Sequence, residues 1–283
     1  MHQFPVFHAD PVGPIGLFDS GIGGTTVLRE VASLLPHEDL IYLADQANCP
    51  YGPRSADELR QLALACTEWL LSQGAKLIVV ACNSASAAAL SSLRAHFPQI
   101  PFVGMVPAVK PAVLRTNSGV VGVLATPATL AGGLLHETIM RWAAGVQVIG
   151  QACDGWADLV EQGDLTSPAA QRAVAKHLQP VLAAGADTLV LGCTHYPFLA
   201  NQIRAIAGPT IQLIDPAPAI ARQVARLLEQ HQLLQASRQQ RQIRYVTSAD
   251  SLRLAQLIAQ LELPGGVVAA QHESRTHRPA ARQ

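Results

Sequence analysis

The chain has 283 residues, 49% of them hydrophobic and 14% charged. That excludes a disordered chain, supports a large core and exceeds one ordinary α/β unit. Its 20 basic and 20 acidic residues cancel, which argues against nucleic acid or an anionic membrane as partner and leaves a small molecule.

The first residues, MHQFPVFHADP, form neither a basic n-region nor an apolar h-region. No export signal is therefore expected, no run reaches membrane-spanning length, and a reducing cytoplasm is the expected compartment. A strand is predicted over residues 15–18, then the glycine-rich turn Asp19-Ser20-Gly21-Ile22-Gly23-Gly24, then a helix over 25–35. Such glycines allow backbone to approach a ligand closely. The Lys-Ser/Thr of a P-loop and the GxGxxG spacing are missing, so a phosphate reading is weak. Asp19 suits an ammonium group, a neighbouring thiol or a helix cap.

A second strand is predicted over 40–43, followed by the turn-rich segment Cys49-Pro50-Tyr51-Gly52-Pro53, where Tyr51 is a lid contact or simple packing. Ser55 and Glu58 form a capping box for a helix over 56–73. A strand over 77–81 runs into Cys82, Asn83 and Ser84, with helical pattern from Ala85 and a helix over 87–96. Further strands are predicted over 120–125, 146–150, 188–191, 211–214 and 244–247. Helices are predicted over 169–183, 217–230 and 252–260. Thr126-Pro127, Ser167-Pro168 and Asp215-Pro216 each place a cap residue before a proline at a helix start. A short helix over 156–162 carries Glu161, on its own a solvated charge. The stretch 264–283 turns polar and basic and reads as a frayed tail. Near-continuous apolar strands between helices imply mostly parallel sheets covered on both faces.

Two segments repeat. GAKLIVVACN from Gly74 aligns without gaps to GADTLVLGCT from Gly185, and IGLFDSG from Ile15 aligns to VGVLATP from Val121. The two shifts, 111 and 106, are similar and in the same order, which suggests two related α/β halves. The repeat sets Cys82 and Cys193 at the carboxyl ends of equivalent strands, where open α/β sheets bind ligands. A thiol ahead of a helix there is expected to feel the helix dipole and lean toward thiolate. Cys49, Cys66 and Cys153 lack matched partners and read as packing. Asn83-Ser84 and Thr194-His195 follow the two cysteines and suit a substrate carboxylate. His195 is a thiol partner or a capped structural histidine.

No cofactor is expected. The only lysines are Lys76, Lys110 and Lys176, and Lys76 begins a strand, the wrong end for a pyridoxal Schiff base. No metal is expected either, because zinc on Cys193 and His195 lacks two further spaced ligands. Two thiols across a cleft between duplicated halves can remove a proton from one face of a carbon and return one to the other. That is racemisation, with positioning and electrostatic stabilisation of the carbanion lowering the barrier.

GLFDSGIGG, YLADQANCPYGPRS, VVACNSAS, VGVLATPAT and LVLGCTHYPFL, in this order, resemble glutamate racemase over about residues 15–268. The resemblance implies two pseudo-symmetric α/β domains facing across a central cleft. The first is residues 1–105 with 216–283, and the second, inserted, is 106–215. It implies interconversion of L- and D-glutamate by a two-base mechanism without cofactor, supplying D-glutamate for peptidoglycan. Cys82 would take the proton from D-glutamate with help from Asp19, and Cys193 from L-glutamate with help from His195 and Glu161. Asp19, Ser20, Tyr51, Gly52, Asn83, Ser84, Thr194 and His195 would bind substrate.

Three positions depart from the family pattern: Ser84 for threonine, Asn48 for the usual arginine or similar residue and Ala44 for glycine. An aspartate racemase of the same two-cysteine superfamily is the enzymatic alternative. A two-lobed amino-acid binding module is the non-enzymatic one. A second copy of the chain, as a homodimer, is admitted as a partner.

Overall fold

The computed structural model describes residues 10–236, 241–265 and 270–271. In chain order the elements are β1 (Ile15–Asp19), α1 (Thr25–Leu34), β2 (Leu40–Ala44), α2 (Ala56–Ser72), β3 (Leu77–Val80), α3 (Asn83–His96) and β4 (Phe102–Gly104). Next come α4 (Val109–Val113), β5 (Val120–Ala125), α5 (Pro127–Ala131), α6 (Gly133–Trp142), β6 (Gln147–Ala152), α7 (Trp156–Gln162), α8 (Pro168–Ala183) and β7 (Thr188–Gly192). The chain continues through α9 (Ala200–Ala207), β8 (Gln212–Ile214), α10 (Ala217–Gln230), β9 (Ile243–Thr247), α11 (Ser251–Gln260) and β10 (Ala270–Gln271).

The strands form two sheets, ordered β10-β9-β2-β1-β3-β4 and β6-β5-β7-β8. Every pairing is parallel. Parallel strands covered on both faces need apolar side chains in both directions, and β1, β2, β3 and β7 are buried along their whole length. The expected duplication appears in topology as well as sequence. The order β2-β1-β3-β4 repeats as β6-β5-β7-β8. Ile15 pairs with Leu77 in the first sheet, and their aligned counterparts Val121 and Thr188 pair in the second. After β8 the chain returns to the first sheet through α10, which packs on α1.

Most predicted elements fall within a residue or two of their observed bounds, and the exceptions have local causes. Helix α3 begins at Asn83 rather than Ala87, with Cys82 as its N-cap residue. β6 is an edge strand, half exposed, which blurs its pattern. β4, α4 and α6 were not predicted, and the helix expected from Pro197 onward opens as a 3-10 turn at Tyr196–Leu199 and continues as α9. α6 opens on Gly132-Gly133, which reads as a turn, and β4 is only three residues long. Much of the stretch taken as a frayed tail lies outside the described residues, but Ala270–Gln271 pairs with β9.

The caps form as read. Ser55 and Glu58 close a reciprocal capping box, and Thr126 and Ser167 accept from Thr129 N–H and Ala170 N–H. The Ser167→Ala variant, which orphans that N–H, is expected to cost about 1 kcal/mol, seen as a lower urea midpoint at unchanged m value. Lys76 is fully buried. Its ammonium pairs with Glu38 at 2.6 Å and donates to Pro11 carbonyl at 2.7 Å, closing the sheet edge opposite the site.

Candidate active site

The carboxyl ends of β1 and β3 in one sheet and of β5, β6 and β7 in the other face one cavity of about 230 Å³. That is below the roughly 300–1,000 Å³ of drug-sized ligand sites, so it suits a small metabolite. Both halves line it: Asp19, Ser20, Tyr51, Gly52, Cys82, Asn83 and Ser84 from the first, Thr126, Cys153, Cys193, Thr194 and His195 from the second. Among the described residues no lysine or arginine lines it. Of the side chains singled out in the sequence, Glu161 alone stands behind the wall.

The glycine-rich turn does not serve as expected. Its close approach is to the other half of the protein, where a methyl on Gly21 would coincide with the Glu161 carboxylate and one on Gly23 with the His195 ring. Tyr42 hydroxyl donates to Gly21 carbonyl at 2.6 Å and holds the turn down. Asp19 does not cap α1, whose N-cap residue is Gly24. One carboxylate oxygen of Asp19 accepts from Ser20 N–H, and the other accepts from Thr194 hydroxyl at 2.8 Å, across the halves. Complete burial drives the Asp19 pKa above the usual carboxylate value, although His195, Thr194 and Cys82 pull the other way.

Cys82 is buried at the start of α3. The expectation that the helix end would favour thiolate is overturned. Burial and the neighbouring Asp19 charge push its pKa well above the ordinary thiol value, and the opposing contribution through Ala85 N–H is smaller. At rest Cys82 is therefore a neutral thiol. Cys193 is not followed directly by a helix. A 3-10 turn at Tyr196–Leu199 precedes α9.

Beside Cys193 stands a different arrangement. Its Sγ is 3.7 Å from Nδ1 of His195, whose Nε2 is 2.8 Å from Glu161 Oε1. Burial disfavours a charged His195. The bonds to Cys193 and Glu161 and the charge of Asp19 outweigh it, so the imidazole pKa stands well above its usual value. Glu161 is correspondingly held below its usual value: burial opposes ionisation, but His195, Gln46 and Ile22 N–H overcome it. Glu161 is thus no solvated charge. Ile22 N–H donates to it at 2.6 Å and Gln46 at 2.9 Å, both from the other half.

Helix α7 is built to hold that carboxylate. Gly155 and Gly163, with φ of 81° and 74°, bound it at both ends, a conformation glycine adopts without strain. Trp156 anchors it, buried against Tyr196 with ring centroids 4.9 Å apart. Arg253 of α11 donates to its last carbonyls, Glu161 and Gln162.

Tyr51 is packing more than lid. It is buried, and its hydroxyl donates to Asp45 at 2.6 Å. Asn48 donates to both oxygens of Asp45. Asn83 has the opposite character, with both side-chain amide atoms buried and unpartnered within the protein, which leaves a donor and an acceptor for a ligand. Ser84, the threonine replacement, shares a 2.9 Å hydrogen bond with Thr126 across the halves.

Thr126 and Cys153 escaped sequence reasoning. Thr126 is the repeat counterpart of Ser20, a signal that was present in the alignment of IGLFDSG with VGVLATP. Cys153 closes β6, the strand with the weakest pattern.

The model of the Asp/Glu/Hydantoin racemase family matches residues 20–224. The chain belongs to that family. Among relatives of this racemase, the glutamate racemase of Roseiflexus sp. (strain RS-1) is 60% identical over 89% of this chain and 93% of its own. The glutamate racemase of Francisella tularensis in complex with D-glutamate shares the fold at TM-score 0.80, with 28% identity over 92% of this chain and 98% of that one. The Escherichia coli glutamate racemase in complex with L-glutamate and an activator does so at 0.78, with 34% identity over 88% and 94%.

Proposed function

We propose that this isomerase interconverts L- and D-glutamate by two-base chemistry at Cys82 and Cys193, without a cofactor. The observation that carries the mechanism is that these two sulfurs, from equivalent strand ends of two duplicated sheets, line one small cavity. The relatives support glutamate as substrate. We take residues 1–105 with 216–283 and residues 106–215 as the two domains that bring the thiols together. Among the described residues no helix is long and apolar enough to cross a membrane, which agrees with work in the cytoplasm. The family resemblance supports supply of D-glutamate to peptidoglycan as the purpose.

In the L-to-D direction, Cys193 as thiolate takes the α-proton and the neutral Cys82 thiol donates its own to the opposite face. The roles reverse for D-glutamate. Protonated His195, held by Glu161 through Nε2, faces Cys193 Sγ through Nδ1. Asp19 beside Cys82 receives or restores that thiol's proton. The unpartnered Asn83 amide, the hydroxyls of Ser20, Ser84 and Thr194, and the N–H groups of Asn83 and Ser84 at the start of α3 offer donors to a substrate carboxylate and to the charge that builds on it. No lysine lines the cavity, which leaves no residue for a pyridoxal Schiff base.

Circular dichroism with either enantiomer should show decay to the racemate without added pyridoxal phosphate. In deuterated water both products should carry label at the α-carbon. Aspartate, one methylene shorter, should be turned over roughly 10–200-fold less efficiently. Full turnover with retention of the original α-hydrogen would overturn the mechanism, and binding without turnover would favour a binding module.

A further inference from the structure

Beside the dyad stands a third potential ligand that the reaction does not use. Cys49 Sγ, a Glu161 carboxylate oxygen and a His195 ring nitrogen all lie within 4.8 Å of one another. The three arrive from separate segments: the loop after β2, helix α7 and the turn after β7. Sequence spacing hides the set, because it counted only Cys193 and His195. The surroundings favour a cation. Asp19, Asp154 and Asp158 line the cavity that His195 borders, and among the described residues no lysine or arginine does.

We propose that Cys49, Glu161 and His195 form an inhibitory site for a borderline-soft divalent cation of the zinc class. Thiolate, imidazole and carboxylate together are a zinc donor set, and three protein ligands leave a fourth position for water. On binding, the Cys49 thiol and His195 Nε2 each release a proton to solvent, and a metal–sulfur and a metal–nitrogen bond form without change of oxidation state. The ion takes the place of the Nε2 proton shared with Glu161. His195 then keeps its Nδ1 proton toward Cys193 but loses both the positive charge of the imidazolium and the Glu161 bond that holds the ring, and racemisation falls while the cavity stays intact. The inhibitory consequence rests on the reading under Proposed function, but the binding site does not.

The test uses the full chain. Zinc should inhibit turnover, and a chelator should restore it. Cys49→Ser should keep basal turnover and need at least about tenfold more zinc for the same inhibition. Titration with cobalt(II) should produce thiolate-to-metal charge-transfer absorption in the parent chain and in Cys82→Ala, and none in Cys49→Ser or Cys49→Ala. The cobalt measurement needs no racemase activity, so it separates failure of the site from failure of the mechanism. Equal zinc sensitivity in Cys49→Ser, or absorption that disappears with Cys82 instead, would place the ion on the catalytic thiols and overturn the proposal. Absence of any cobalt–thiolate band in the parent chain would overturn it as well.

Discussion

Cys82→Ala and Cys193→Ala are each expected to reduce net racemisation roughly 10⁴-fold, the upper range for removal of a positioned acid or base. Neither should unfold the protein. Both side chains are small, and each substitution removes one sulfur at the cavity wall. A purely structural role predicts that same loss together with lower stability, so loss of activity alone is weak evidence. Proton exchange decides. With one thiol left, a proton can still leave and return on a single face. Cys82→Ala should therefore exchange the α-hydrogen of L-glutamate for deuterium with retention of configuration and leave D-glutamate untouched. Cys193→Ala should do the reverse. Proton NMR of each enantiomer in deuterated water reads this directly. Exchange of both enantiomers by either variant would mean that one group serves both faces.

The placing of two thiols on one cavity is the part of the proposed site most open to sequence reading, because it follows from duplication. Strands that are apolar throughout were legible since burial on both faces leaves no other pattern. The matched shifts located the two cysteines, and the same shifts carry through to the pairing of Ile15 with Leu77 and Val121 with Thr188. What was illegible arises where the halves meet. Glu161 looks solvated along α7, yet it is only partly exposed and its carboxylate accepts from Ile22 and Gln46 of the other half. Gly21 and Gly23 look like a ligand loop, yet they make room for Glu161 and His195. The protonation of Cys82 was misjudged for the same reason. A helix start is visible in sequence, whereas the burial and the Asp19 charge that outweigh it are tertiary. Cys49 beside His195 is a further case.

Glu161→Gln carries the second large effect, roughly 10²-fold in kcat/KM, and its signature is a shift in pH dependence. The folded pKa of His195 is raised, so its cation persists through neutral pH and is lost as pH rises through that elevated value. Glu161→Gln keeps an acceptor oxygen but removes the charge that strengthens its bond to the cation, and the imidazole pKa falls. The alkaline limb of kcat/KM should therefore move to lower pH.

Enantiomers have equal free energy, so kcat/KM for the two directions must fall together at every pH. Asymmetry can appear only in which proton transfer limits. If Glu161 serves the Cys193 face through His195, the variant slows removal from L-glutamate. The primary isotope effect with α-deuterated L-glutamate should then rise and that with α-deuterated D-glutamate shrink. A positioning role confined to folding would move neither isotope effect. Equal changes in both would assign the dyad to substrate binding instead of to the Cys193 proton.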